Sequence, residues 1–166
     1  MDRAQGAIDA ARAAGADQYA ATEYSLATTA LAQSNEAVAA RDYRLALNYA
    51  LESNEHAQNA ARDTANTKAR MRADVDRAIA DLGVLLAQGD ARVASAERAR
   101  VAGALLTPPA DDLAAVRGDL QKAGEAVAAG DYLGANAGLE GLRARIEQAL
   151  AAVDAAVAAQ SPQRRR

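Results

Sequence analysis

Apolar positions in this chain recur every third or fourth residue and never every second. That rhythm is helical, and no strand is expected. A first short helix is predicted from about Asp2 to Ala14, with Gly15 where a left-handed C-cap belongs. A second helix follows over about Ala20 to Ala40, with the seam Tyr24, Ala27, Leu31, Ser34 and Val38. A third begins at Asp42 and meets no Gly or Pro until Gly83. Its first half carries small residues, Ala46, Ala50, Ser53, Ala57 and Ala61. Its second half carries larger ones, Met71, Val75, Ala78, Leu82 and Leu85. Unbroken to Gln88 it would be about 70 Å long at 1.5 Å per residue, far longer than its neighbour. The stretch from Met71 to Leu86 therefore needs a cover, either the rest of the chain or another copy. The pair Gly89-Asp90 reads as a stop and restart. A short helix over about Ala91 to Ala102 is expected to fold back over part of that stretch.

Thr107-Pro108-Pro109 reads as the opening of the next helix, since Pro suits a first turn. Its seam is Leu113, Val116, Leu120 and Val127. Gly130 and Asp131 make a turn. The final helix has the clearest seam: Ala135, Leu139, Leu142, Ile146, Ala149, Val153 and Ala156.

One segment occurs twice. Residues 36–43 read Glu-Ala-Val-Ala-Ala-Arg-Asp-Tyr, and residues 125–132 read Glu-Ala-Val-Ala-Ala-Gly-Asp-Tyr. At the same offset of 89, Leu31 falls on Leu120 and Ala46 on Ala135. Ala14-Gly15-Ala16 finds an echo in Ala102-Gly103-Ala104 with a one-residue slip. The chain thus reads as a duplication. The fold expected is all-α: an elongated bundle of two tandem antiparallel helical hairpins, each preceded by a short helix. The units are 1–89 and 90–160, followed by a disordered basic tail at 161–166. Asp42 and Asp131 are natural N-caps for the returning helices. Arg41 stands where the second copy has Gly130, so the first turn must strain Arg41 or adopt another form.

Composition fills in the picture. About three in ten residues are alanine, and no Phe, Trp or Cys occurs. Such a core buries little area per residue, so close helix contact and high helix propensity must compensate. The formal net charge is −3, and removing the three Arg of the last six residues takes it to −6. That balance argues against binding along a phosphate backbone. No apolar run reaches the length of a membrane span. Met1 is followed directly by Asp2-Arg3-Ala4-Gln5, which has no leader pattern.

Candidate chemistry is sparse. His56 is the only histidine, and Glu52 precedes it by one helical turn. Two ligands are too few for a structural metal, so His56 reads as an exposed helical side chain. Asp111-Asp112 sits in an expected first turn, where acids suit the helix dipole. Gly134 and Gly138, four apart, suit a close helix crossing. No catalytic, cofactor-binding or metal-binding set stands out, so no enzyme activity and no cofactor are expected.

The step Asp-Tyr followed by an Ala-rich helix resembles the inter-helix loop of tetratricopeptide-like hairpins, though the 89-residue spacing is not the 34-residue repeat of that family. A closer likeness comes from Ala14-Gly15-Ala16-Asp17-Gln18-Tyr19-Ala20, then Leu31, Asp42-Tyr43 and Ala46. This series resembles the Ala-rich helical-hairpin domain of unknown function found in Gram-negative envelope lipoproteins, often beside an OmpA-like peptidoglycan-binding module. Ala21 and Thr22 stand in for that family's Pro-Glu step, and Arg41 for its turn Gly. The resemblance implies an envelope location and no known chemistry. The expected function is a non-catalytic structural or protein-interaction module with an unidentified protein partner, no nucleic acid and no transmembrane segment. The chain is expected to be a monomer or weak homodimer, periplasmic if a leader was removed and otherwise cytoplasmic. The alternative is a cytoplasmic tetratricopeptide-like adaptor that binds a peptide or helix.

Overall fold

The structure, a computed structural model, describes residues 2–160. The expected basic tail at 161–166 lies outside them. The described residues form seven helices and their turns, and no strand is among them. They are α1 (Asp2–Ala14), α2 (Ala16–Tyr19), α3 (Ala21–Ala39), α4 (Tyr43–Arg98), α5 (Gly103–Ala128), α6 (Tyr132–Leu139) and α7 (Leu142–Gln160). The protein is all-α. It divides into two compact units, Met1–Arg70 and Met71–Arg166.

The first correction concerns α4. It does not stop at Gly89-Asp90 but runs unbroken for 56 residues to Arg98. No separate short helix from Ala91 to Ala102 exists, and none folds back over Met71 to Leu86. The expected division at 89 gives way to one at 70/71, inside the helix. Glycine has two uses, and Gly89 serves the second. A Cβ there would lie 3.0 Å from both Leu113 methyl carbons, so the bare backbone is a notch for Leu113. Asp90 caps nothing; it pairs with Arg117 Nη2 at 2.7 Å. The helix ends instead at a left-handed Arg100, φ 63°. There Arg100 N–H donates to Glu97 C=O and Val101 N–H to Ala96 C=O, the paired bonds of a Schellman end.

In the first unit α3 and the start of α4 run antiparallel. Ser34 Oγ donates to Ala46 C=O and Ser53 Oγ to Ala27 C=O, both at 2.8 Å. The buried seam of α3 is Ala27, Ala30, Ser34 and Ala37. Tyr24 and Leu31 are only half-buried and Val38 is exposed, so the expected seam was turned toward the larger residues. Alanine buried between close backbones carries little size signal, which is why the pattern misplaced it. On α4 the expected small residues Ala46, Ser53 and Ala57 are buried, with Ala60 and Thr64 continuing the stripe. Helix α1 lies against both, with Ile8 clustered with Ala27 and Ala57, and Ala11 with Ala16 and Ala60.

In the second unit one cluster joins Val75, Leu82, Leu86 and Val93 of α4 to Leu113 and Val116 of α5 and to Ile146 and Val153 of α7. The rest of the second unit thus covers the Met71–Leu86 stretch. All seven expected seam residues from Ala135 to Ala156 are buried. The helix carrying them is nevertheless two: Glu140 is extended and Gly141 left-handed, φ 75°, between α6 and α7. Helix α5 begins a full turn before Thr107-Pro108-Pro109, so both prolines lie inside it. Leu106 and Pro109 are buried, and that burial favours the extra turn although Pro removes two backbone donors. The Ala-Gly-Ala echo is not structural either. Gly15 is left-handed, φ 92°, as expected of a C-cap, whereas Gly103 is simply the first residue of α5.

Candidate functional site

The repeated turn is the best-defined local geometry. Arg41 N–H donates to Val38 C=O and Asp42 N–H to Ala37 C=O. In the second copy Gly130 N–H donates to Val127 C=O and Asp131 N–H to Ala126 C=O. Asp42 then accepts from Leu45 N–H at 3.0 Å, and Asp131 from Gly134 N–H at 2.8 Å. Both expected N-caps are in place. Arg41 is left-handed, φ 61°, as Gly130 is, φ 80°. The first turn thus keeps the form of the second and bears the strain.

The turn tyrosines differ. Tyr132 is half-buried, but Tyr43 is 67% exposed. Beyond it on α4, Leu47 and Leu51 are 59% and 57% exposed. Sequence periodicity passed over these two, since they sit off the core seam. A signal existed: at the 89-residue offset the second unit has Asn136 and Glu140 in their places. This apolar surface is the main candidate site.

His56 is not the free surface side chain expected. Its Nδ1 lies 2.8 Å from Glu23 Oε2 on α3, and its Nε2 lies 3.9 Å from Glu52 Oε1, with the ring half-buried. Sequence spacing found Glu52 but missed Glu23, which approaches from another helix. The three side chains clip α3 to α4. Among the described residues no group of three or more His, Cys, Asp or Glu is placed to hold a metal ion. Nearby, an open depression of about 390 Å³ is lined by Tyr19, Thr22, Glu23, Asp63, Thr67 and Arg70. Its charges are mixed and it pairs no nucleophile with a base.

Lys68 was also missed. Its Nζ donates to Ala14 C=O at 2.7 Å, at the C-terminal end of α1, and lies 4.8 Å from the centre of the Tyr19 ring. A cation there satisfies an orphan carbonyl and complements the helix dipole. In the second unit, Asp119 accepts from Arg145 at 2.8 Å and from Lys122 at 3.1 Å. The Arg145 hydrogen bond, followed by that of Lys122, holds its carboxyl below the usual carboxylate range. This is a surface ion-pair group, and nothing reactive faces it. Asp111 and Asp112 lie in the third turn of α5 rather than its first, because the helix starts earlier. Gly134 and Gly138 both lie on exposed positions of α6, away from any close crossing.

No helix is long and apolar enough to cross a membrane among the described residues. No protein-family model matches this chain, and no curated protein or solved structure shows significant similarity to it.

Proposed function

We propose that this protein is a non-catalytic interaction module of the bacterial cell envelope that binds a protein partner through its helix surfaces. The observation that carries this reading is the exposed pair Leu47 and Leu51 beside Tyr43. Large apolar side chains grouped on one helix face mark a contact surface more often than scattered single ones do. The envelope location rests on the resemblance of Ala14–Ala20, Asp42-Tyr43 and Ala46 to the helical-hairpin domain of envelope lipoproteins. Our reading of the architecture is a tandem pair of antiparallel hairpins, each with a helix lying along it. The matching capping bonds at Asp42 and Asp131 support that reading.

The test combines location and capture in the native cell. Fractionation should recover the chain with the envelope. Photo-cross-linking residues placed along the exposed faces of α3, α4 and α7 should yield a discrete protein adduct. A purely cytoplasmic chain would remove the envelope, and the absence of any adduct would remove the interaction role.

A further inference from the structure

The chain's net charge of −3 hides a local excess of the opposite sign. Within the second unit Arg92 pairs with Asp154, and Arg100 C=O accepts from Gln160 Nε2 at 3.0 Å. Helices α4 and α7 therefore run parallel and finish together. Helix α5 starts close by, at Gly103. Two helix ends and one helix start thus meet at this end of the unit.

Positive charge and one apolar side chain gather there. Arg98 and Arg100 are exposed. Arg98 Nε donates to Ala94 C=O on its own helix, and neither arginine forms an ion pair with a described residue. Leu105, in the first turn of α5, is 48% exposed at the same end. Arg164, Arg165 and Arg166 follow Gln160 within six residues. They lie outside the described residues, but at about 3.5 Å per residue or less the chain keeps them within about 21 Å of Gln160. Two described arginines and three following ones make five positive charges. Glu97 and Asp111, which line an open depression with Val101 and Leu106, offset two of them.

A cation suits the C-terminal end of a helix through the dipole, and that accounts for Arg98 and Arg100 by themselves. It does not account for three adjacent arginines beyond Gln160, which repel one another. Nor does it account for a leucine facing water beside them. An anionic lipid surface satisfies both. Its phosphates neutralise the arginines, and the boundary of its acyl chains takes the leucine.

We infer that this end of the second unit rests on an anionic lipid surface. Arg98, Arg100 and Arg164 to Arg166 meet the headgroup phosphates, and Leu105 reaches past them. The contact is peripheral, since no helix among the described residues is long and apolar enough to cross a membrane. It adds a lipid contact to the protein-interaction role proposed above and does not depend on that role.

The probe is a vesicle of equal parts phosphatidylglycerol and phosphatidylcholine, sedimented with the full chain at low ionic strength. The chain should pellet with it and stay in solution with pure phosphatidylcholine. Release is expected at about 1 M salt, where the screening length is about 3 Å. The triple substitution Arg164→Gln, Arg165→Gln and Arg166→Gln should weaken binding about a hundredfold, since each arginine at such a surface contributes about fivefold. Leu105→Ser should weaken it about fivefold and leave the salt dependence unchanged. Leu105 is exposed and the three arginines lie beyond α7, so both variants should melt with the parent. Binding that the triple substitution leaves unchanged would place the contact elsewhere and overturn the inference. Equal binding to neutral vesicles, or none to anionic ones, would overturn it too. A chain that fails here and still yields a protein adduct in the cell loses the lipid contact and keeps the interaction role.

Discussion

Arg41 and Gly130 hold the same left-handed position in two copies of one turn, at φ 61° and 80°. The bonds around them correspond one to one, from the paired N–H donations to the Asp caps that follow. Only the side chain differs. For a non-Gly residue that conformation costs about 1–2 kcal/mol. Arg41→Gly should therefore stabilise the protein, by about 1 kcal/mol after the greater unfolded-state entropy of glycine is subtracted. Urea denaturation of parent and variant measures it, and a loss of stability would contradict the strain.

Two glycines inside α4 should respond in opposite directions. Gly83 has open space where a Cβ would go, so Gly83→Ala should gain about 1 kcal/mol of helix propensity. Gly89 has Leu113 at 3.0 Å, and Leu113 is fully buried with little room to move. Gly89→Ala should lose about 1 kcal/mol net, as overpacking exceeds the propensity gain. Thermal melts of the two variants would settle the sign of each.

Thr64 is buried on α4, and its hydroxyl finds no hydrogen-bond partner. A buried hydroxyl without a partner costs about 1–3 kcal/mol. Thr64→Val keeps the shape and removes the polar group. The expected gain is about 1 kcal/mol by chemical denaturation, and a destabilised variant would show that a partner had been lost.

Asp119 supplies a pH dependence with a fixed sign. Its carboxyl is held below its ordinary value of 3.8, chiefly by the hydrogen bond from Arg145. A depressed folded value means the charged form favours folding. Its contribution is complete above 3.8 and is lost as pH falls through the folded value. The stability difference between the parent and Asp119→Asn should thus stay flat down to that region and then shrink. A difference that grows on acidification would reverse the assignment.

How much of this was legible depended on residue size. The seam from Ala135 to Ala156 could be read directly, because Leu, Ile and Val mark it at every turn. The seam of α3 was turned because Ala30 and Ala37, which face the core, look no different from Ala32 and Ala39, which do not. Gly89 was misread because a glycine that ends a helix and one that makes room for a leucine are the same letter. The true end of α4 was hidden in Arg100, a residue with no preference for left-handed backbone. Pro108 and Pro109 misled for a related reason: the buried Leu106 and Pro109 favour a turn that local chemistry disfavours. The apolar surface at Leu47 and Leu51 was visible only by laying the copies side by side, where Asn136 and Glu140 answer them. Glu23 beside His56 required tertiary structure.

The sizes of the two cores carry a consequence for how the molecule comes apart. The first unit is held by small clusters around Ile8 and Ala11, built mostly from alanine, and it bears a strained turn. The second gathers Val, Leu and Ile from α4, α5 and α7 into one cluster. Apolar area removed from water therefore favours the second unit. On gentle heating the molecule should lose its N-terminal part first, with α4 shortening from its start while the stretch beyond about Met71 stays closed. Amide exchange would register this as a step in protection within a single unbroken helix, fast before the step and slow after it. The hydrogen-bond ladder of α4 would thus join a yielding segment to a persistent one with no loop between them.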